Sequence, residues 1–255
     1  MNNDYYKEYY DIERQHWWFL AREKILSNYI QKLILDGRLN KRDLKILNVG
    51  CGTGRSSEYL SEYGTVSSIE FDKDCCNFTS QKTGLEITNA SVTELPFQDE
   101  SFDLVCAFDV IEHVENDQLA VFEMKRVVKK NGIIFITIPA FMALWSHHDL
   151  VNHHFRRYKL NEIQKLFYNQ ENGKMVFTSY FNFFLFIPIY LLRKISNLIK
   201  FDNNRPGSGS DFATFRSGFL SSLLFKIMFF ENIFINNKIK LPFGVSLLYS
   251  WTKIK

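Results

Sequence analysis

Leu47-Asn48-Val49-Gly50-Cys51-Gly52-Thr53-Gly54 places three alternating glycines directly behind an apolar strand that begins at Lys45. Such a turn lets the backbone curl tightly around a nucleoside-containing ligand. Glu70 strengthens the signal. It follows a second short strand, Val66-Ser67-Ser68-Ile69, and lies twenty residues beyond Gly50, where the acidic ribose clamp of a Rossmann-type mononucleotide site belongs.

The spacing also discriminates between ligands. A dinucleotide fingerprint needs Gly-x-Gly-x-x-Gly, and the position of its last glycine is Arg55, so no pyrophosphate cradle is evident. A Gly-x-Gly-x-Gly turn with an acid ending the next strand fits S-adenosylmethionine better, because that molecule carries a ribose and an amino acid but no phosphate.

Four further runs follow in order: Ser91-Val92-Thr93-Glu94-Leu95-Pro96-Phe97, Ser101-Phe102-Asp103-Leu104-Val105, Val110-Ile111-Glu112-His113 and Val127-Val128-Lys129-Lys130-Asn131-Gly132. With the glycine turn they resemble the class I S-adenosylmethionine-dependent methyltransferases of the small-molecule and lipid group, over roughly residues 44 to 180. Two flanking pieces narrow the resemblance. Glu13-Arg14-Gln15-His16-Trp17-Trp18-Phe19 with Arg22, and Leu144-Trp145-Ser146-His147-His148-Asp149 with His154-Phe155-Arg156-Arg157-Tyr158, look like a bacterial subgroup often associated with glycosyltransferases and cell-surface glycan assembly.

The resemblance implies an α/β, Rossmann-like fold with a mostly parallel sheet, S-adenosyl-L-methionine as cofactor, and a set of site residues. Gly50, Gly52 and Gly54 would let the backbone approach the methionine moiety, with Cys51 contributing main chain. Glu70 would hold the ribose hydroxyls and Phe71 lie beside the adenine, whose amino group would meet Ser91 and Val92. Phe108 and Asp109 end the fourth strand under the reacting sulfur. Trp17, Trp18 and Phe19 would form a lid, with Arg22 pairing to the cofactor carboxylate. Asn48 and Ser91 stand where the family commonly has aspartates. Both lose a charge that would attract the cationic ligand, although Asn48 keeps much of the hydrogen-bond geometry.

The rest of the chain reads consistently with this. Helical periodicity over Glu8–Leu35, Arg55–Tyr63, Asp117–Lys130 and Leu160–Tyr168 alternates with strand-like runs at Phe102–Phe108, Ile133–Ile138, Met175–Tyr180 and Val245–Thr252. Strand alternating with helix predicts a parallel sheet. The 255 residues divide as an N-terminal helical cap (1–43), a cofactor-binding core (44–180), a hydrophobic basic insertion (181–243) and a final strand (244–255). Four cysteines, Cys51, Cys75, Cys76 and Cys106, lack the spacing of a disulfide framework, and the first thirty residues hold no apolar signal core, so a reducing cytoplasm is expected.

The insertion is the second informative feature. From Phe181 onward ten Lys and Arg face three Asp and Glu, a net of +7 inside an overall +3. Phe181–Leu192, with Asn182 and Pro188 inside it, is too short to span a bilayer, which takes about 20 residues. Its apolar stripes suit core packing, a homodimer interface, or a membrane surface where a lipid-linked acceptor is met. Asp202–Ser210 reads as a mobile loop dividing the insertion.

The acceptor side is expected just beyond the fifth strand, where His147, His148, His153 and His154 fall within eight residues. His148, with Asp149 next in sequence, is the first candidate general base; His147 and His154 follow. Arg156, Arg157 and Tyr158 suit a phosphate or acidic sugar. No metal is expected: Asp109, Glu112 and His113 resemble an acidic-x-x-Glu-His run that binds a divalent ion in some quinone O-methyltransferases, but Glu112 and His113 also serve this fold as helix-start residues. No motif points to nucleic acid. The reading is a methyltransferase acting on an oxygen of a small or lipid-linked, glycan-type acceptor. Its rivals are a quinone-type O-methyltransferase and a non-catalytic partner of a membrane glycosyltransferase.

Overall fold

The computed structural model describes residues 3–40, 44–168, 172–198 and 217–254. Seven strands form one sheet: β1 (Leu44–Val49), β2 (Gly64–Glu70), β3 (Ile87–Asn89), β4 (Phe102–Phe108), β5 (Val128–Pro139), β6 (Gly173–Phe181) and β7 (Ser246–Lys253). Their order is β3-β2-β1-β4-β5-β7-β6. β1 to β5 pair in parallel, and β7 enters antiparallel between β5 and β6. This is the mostly parallel, Rossmann-like sheet expected from the sequence.

Burial explains why these runs became strands. Leu104, Val105, Cys106 and Ala107 of β4, and Ile133 to Ile138 of β5, are almost fully enclosed, as central parallel strands must be when helices cover both faces. One face packs on α5 (Asp117–Val127) and α7 (Leu160–Tyr168), which bury Ala120, Val121, Met124, Ile163 and Phe167. The other takes α2 (Trp17–Leu35), with Ala21, Ile25, Leu26, Tyr29, Ile30 and Leu33 buried. Tyr29 Oη lies 2.6 Å from Ser250 Oγ, tying α2 to β7.

The remaining helices are α1 (Asn3–Gln15), α3 (Arg55–Leu60), α4 (Lys73–Thr83), α6 (His147–Val151), α8 (Phe186–Leu198), α9 (Phe219–Phe230) and α10 (Asn232–Asn236). The chain breaks between α1 and α2 at His16, whose imidazole accepts from the Trp18 N–H as an N-cap. Helix α5 stops at Val127, short of the expected Lys130, because Val128 joins the sheet beside Phe102 and Asn131 adopts a positive φ of 64°. Helix α9 lies along α2: Leu224, Phe225, Ile227 and Phe229 pack on its cluster and Met228 is buried within it. The segment Phe219–Asn236, with a mean hydropathy of 1.4, is long and apolar enough to cross a membrane by length and composition alone; 28% of it is buried inside the fold, Glu231 completely. The Asp202–Ser210 loop lies outside the described residues.

Candidate functional site

The strand order reverses between β1 and β4, and open α/β sheets bind ligands at that switch point, beyond the carboxyl ends of the strands. The loop after β1 carries the glycines. The segment after β4 carries Asp109 and a short 3-10 turn, Ile111–His113.

The three glycines are not equivalent. All have positive φ, at 64°, 52° and 89° for Gly50, Gly52 and Gly54. A Cβ on Gly50 would meet Val110 Cγ2 at 2.7 Å and one on Gly54 would meet Thr79 Cγ2 at 2.9 Å, whereas one on Gly52 meets nothing within 4 Å. Gly50 and Gly54 therefore close packing inside the protein, and Gly52 alone borders open space that a side chain would fill. That is the kind of cradle a ligand needs. Cys51 is buried, its N–H donates to Ile69 O at 3.0 Å, and its Sγ reaches Gly52 O at 3.9 Å.

The Glu70 carboxylate is fixed beside this opening. It accepts from Gly52 N–H at 3.0 Å and from Asp72 N–H at 3.0 Å. The adjacent Phe71 ring is 77% exposed, an uncovered aromatic face one residue from the carboxylate. On the next loop Ser91 Oγ lies 2.7 Å from Thr93 Oγ1, and Val92 is buried. Glycine opening, half-buried acid and bare aromatic ring together fit a nucleoside.

Asn48 and Phe108 support the site from within the core. The Asn48 amide donates to Ser56 Oγ and Ser57 Oγ, both at 2.8 Å, fastening β1 to the start of α3. It is buried and acts on the glycine loop from behind. Phe108 packs against Phe135 and Tyr59, at centroid distances of 5.2 and 6.4 Å, in the core beneath the site.

Arg22 is committed within the protein. Its Nη2 lies 2.7 Å from Asp109 Oδ2 and donates to Thr137 Oγ1 at 2.8 Å, while the guanidinium covers the Trp18 and Phe108 rings. It thus anchors α2 over the ends of β4 and β5. Sequence reading missed the ion pairs that fasten the cap beside it, because no local signal links residues so far apart. Arg14 pairs with Glu58 at 2.5 Å, Arg55 with Glu23 at 2.7 Å, and Thr53 donates to Glu13, while within α3 Arg55 also pairs with Glu58 at 3.0 Å. Burial pushes the Glu13 carboxyl up to about 7, against the lowering influence of Thr53, Arg14 and Arg22.

On the acceptor side the structure reassigns the carboxylate. Asp149 is fully buried and its Oδ1 takes His154 Nδ1 at 2.8 Å and Arg157 Nε at 2.7 Å, with Ser146 N–H on Oδ2 at 2.8 Å. Burial alone would raise its pKa, but these partners hold the carboxyl well below the usual carboxylate range. His148 instead lies against Asn152 Nδ2, at 3.3 Å from Nδ1, and His147 is exposed. Consecutive residues on a helix point apart, so Asp149 does not reach back to His148. The chain turns at His153, φ 55°, and brings His154 onto Asp149. His154 also stands edge-on to His113, centroids 4.5 Å apart. Arg157 is thus consumed by Asp149, Arg156 pairs with Asp117 at 2.7 Å, and Tyr158 Oη donates to Asp117 Oδ2 at 2.9 Å. The expected anion grip by these three is replaced by internal ties.

Residues 47–136 match the family model described as "Methyltransferase domain". Among similar proteins, a probable S-adenosylmethionine-dependent methyltransferase of Mycobacterium tuberculosis is 26% identical over 153 residues, 59% of this chain and 53% of the relative. The mitochondrial ubiquinone biosynthesis O-methyltransferase of Dictyostelium discoideum is 32% identical over 135 residues, 46% of this chain and 40% of the relative. The chain thus spans about half the length of the relatives it matches. Among solved structures, a putative sarcosine dimethylglycine methyltransferase from Galdieria sulphuraria superposes with a TM-score of 0.58 at 14% identity, covering 93% of this chain and 86% of that one.

Proposed function

We propose that this chain, whose core is a class I S-adenosylmethionine-dependent methyltransferase domain, moves a methyl group from S-adenosylmethionine to an oxygen of a small or lipid-linked acceptor. One observation carries the reading: the Glu70 carboxylate, pinned by the Gly52 and Asp72 N–H groups, stands beside the one glycine of the loop that opens onto free space. Bound S-adenosylmethionine supplies an electrophilic methyl on sulfur. Gly52, Glu70, Phe71, Ser91 and Val92 are the residues that would hold it, and the ion pairs of α1 and α2 fasten the cap beside the glycine loop. Holding acceptor and methyl in line is worth about 7–11 kcal/mol of the barrier.

The lipid-linked acceptor is supported by α8. Ile187, Leu191, Leu192 and Ile195 are each more than half exposed and recur at helical spacing, beside Lys194. Such a stripe in a basic segment suits the surface of an anionic membrane, and a cytoplasmic protein resting on it reversibly is the localisation we favour. The quinone-type reading is supported by the similarity to a ubiquinone biosynthesis O-methyltransferase.

Incubation with S-adenosylmethionine and two acceptor panels, lipid-linked sugars and hydroxylated quinones, followed by mass spectrometry, tests the proposal. A gain of one methyl on a lipid-linked sugar is expected. Methylation confined to the quinones would replace the glycan reading, and cofactor binding without turnover on either panel would favour the non-catalytic role.

A further inference from the structure

Glu112 is fully buried, and neither carboxylate oxygen has a hydrogen-bond partner. An orphaned buried carboxylate costs free energy that a native fold rarely leaves uncompensated. Burial first, and the nearby Asp109 second, push its proton affinity well above the ordinary range. Asp109 itself is occupied by Arg22 and Thr137. Beside Glu112 lie two imidazoles, His113 of the same turn and His154 from the segment beyond β5, and one donor atom from each of the three residues lies within 4.8 Å of the others.

We propose that Glu112, His113 and His154 form a binding site for a divalent transition metal of the zinc type. Two imidazole nitrogens and one carboxylate oxygen are a donor set that zinc accepts, with bonds of about 2.0–2.2 Å. The Asp149 carboxylate lies 2.8 Å from His154 Nδ1, so that nitrogen carries the proton and donates, leaving Nε2 as the lone-pair donor. This is the carboxylate–histidine–metal relay that fixes tautomer and ring orientation around bound metals. Arg157 and Ser146 N–H lock the carboxylate in turn. The turn and the histidine segment are held together by the backbone: Phe155 N–H donates to Glu112 O at 2.8 Å and Tyr158 Oη to Ile111 O at 3.2 Å. His113 is exposed, which gives the ion a path from solvent.

Three protein ligands leave the fourth tetrahedral position open, the arrangement of zinc sites that engage water or a substrate oxygen rather than purely structural ones. The position, beyond the carboxyl ends of β4 and β5, is the acceptor side of the proposed reaction. Only that use rests on the methyltransferase reading; the metal binding itself does not.

The experiment titrates untagged, chelator-stripped protein with zinc alone by calorimetry, and with cobalt(II) while recording the visible spectrum, without S-adenosylmethionine. One ion per chain and the intense visible absorption of tetrahedral cobalt are expected. His113→Ala, at an exposed ring least able to disturb folding, should weaken zinc binding at least tenfold, and Glu112→Gln and His154→Ala likewise, with folding checked by circular dichroism. Zinc binding unchanged in His113→Ala and Glu112→Gln, or absent from the wild type at micromolar zinc, would overturn the proposal and leave Glu112 as a protonated buried acid. Neither result bears on cofactor binding, which a separate S-adenosylmethionine titration reads.

Discussion

The Asp149 carboxylate lies 2.8 Å from His154 Nδ1 and serves that ring rather than the neighbouring His148. A buried anion that accepts from one nitrogen of an imidazole fixes the ring's tautomer and orientation and leaves the other nitrogen as the acceptor.

Turnover should therefore depend on His154 far more than on His148. His154→Ala is expected to lower kcat by about a hundredfold, within the range general acid–base groups supply, and His148→Ala by no more than about threefold. Steady-state kinetics at saturating S-adenosylmethionine measure both. Equal losses would place the chemistry elsewhere in the histidine segment.

The glycine loop yields a separation of binding from stability. Gly52→Val introduces a side chain into open space at φ 52° and should weaken S-adenosylmethionine binding by about tenfold or more, equivalent to roughly 1.4 kcal/mol. Gly50→Ala drives a methyl against Val110 and should instead lower Tm by several degrees, since about 1 kcal/mol moves Tm by about 2–4 °C in a chain of this size. Calorimetric titration and thermal melts of the two variants read the contrast, and a Gly52 variant that binds like wild type would remove the cradle.

Glu231 predicts a pH dependence of stability. It is fully buried at the junction of α9 and α10, and its Oε1 accepts the Phe183 and Phe184 N–H groups at 2.8 and 3.1 Å. Burial, only partly offset by those bonds, raises its pKa from 4.5 to about 7. The folded state then keeps its proton where the unfolded chain has released it, so this group's contribution is complete below pH 4.5 and is lost as pH rises to about 7. The loss is on the order of 3 kcal/mol. Urea melts across this window should show stability falling with pH in the wild type and a flatter profile in Glu231→Gln, which keeps an acceptor oxygen without the titration. Parallel profiles would mean that Glu231 does not titrate there.

Vesicle co-sedimentation addresses the insertion. Leu191 is 52% and Leu192 64% exposed on α8, so replacing both by serine should reduce binding to anionic vesicles by about a hundredfold or more, with each full side-chain burial worth about 1.5–3 kcal/mol. Raising the salt should weaken wild-type binding. Lys194 stands free of acidic partners among the described residues and lies over the Tyr190 ring, and its replacement should cost about 1 kcal/mol. Arg193 contributes less than its charge suggests, because it donates to Leu144 O at 2.9 Å; Lys200 lies outside the described residues. No binding to anionic vesicles at low salt would return the stripe to packing against another protein surface.

What the sequence determined by itself was everything carried by short-range pattern. Alternating glycines after an apolar run, Glu70 ending the next strand, and β-branched runs spaced by amphipathic helices fixed the parallel sheet and its ligand edge, because turn sterics and strand burial act within a few residues. The tertiary structure decided the partnerships. Asp149 chose His154 because a helix turns adjacent side chains apart and the chain doubles back at His153. Arg22 found Asp109, eighty-seven positions away in sequence, only once α2 lay across the sheet. Gly50 and Gly52 look alike in the sequence, yet Val110 closes one and leaves the other open. Glu112 became an orphaned acid between two imidazoles because the segment beyond β5 folds back over the turn after β4. Such choices depend on which surfaces meet across the fold, and no local spacing records them.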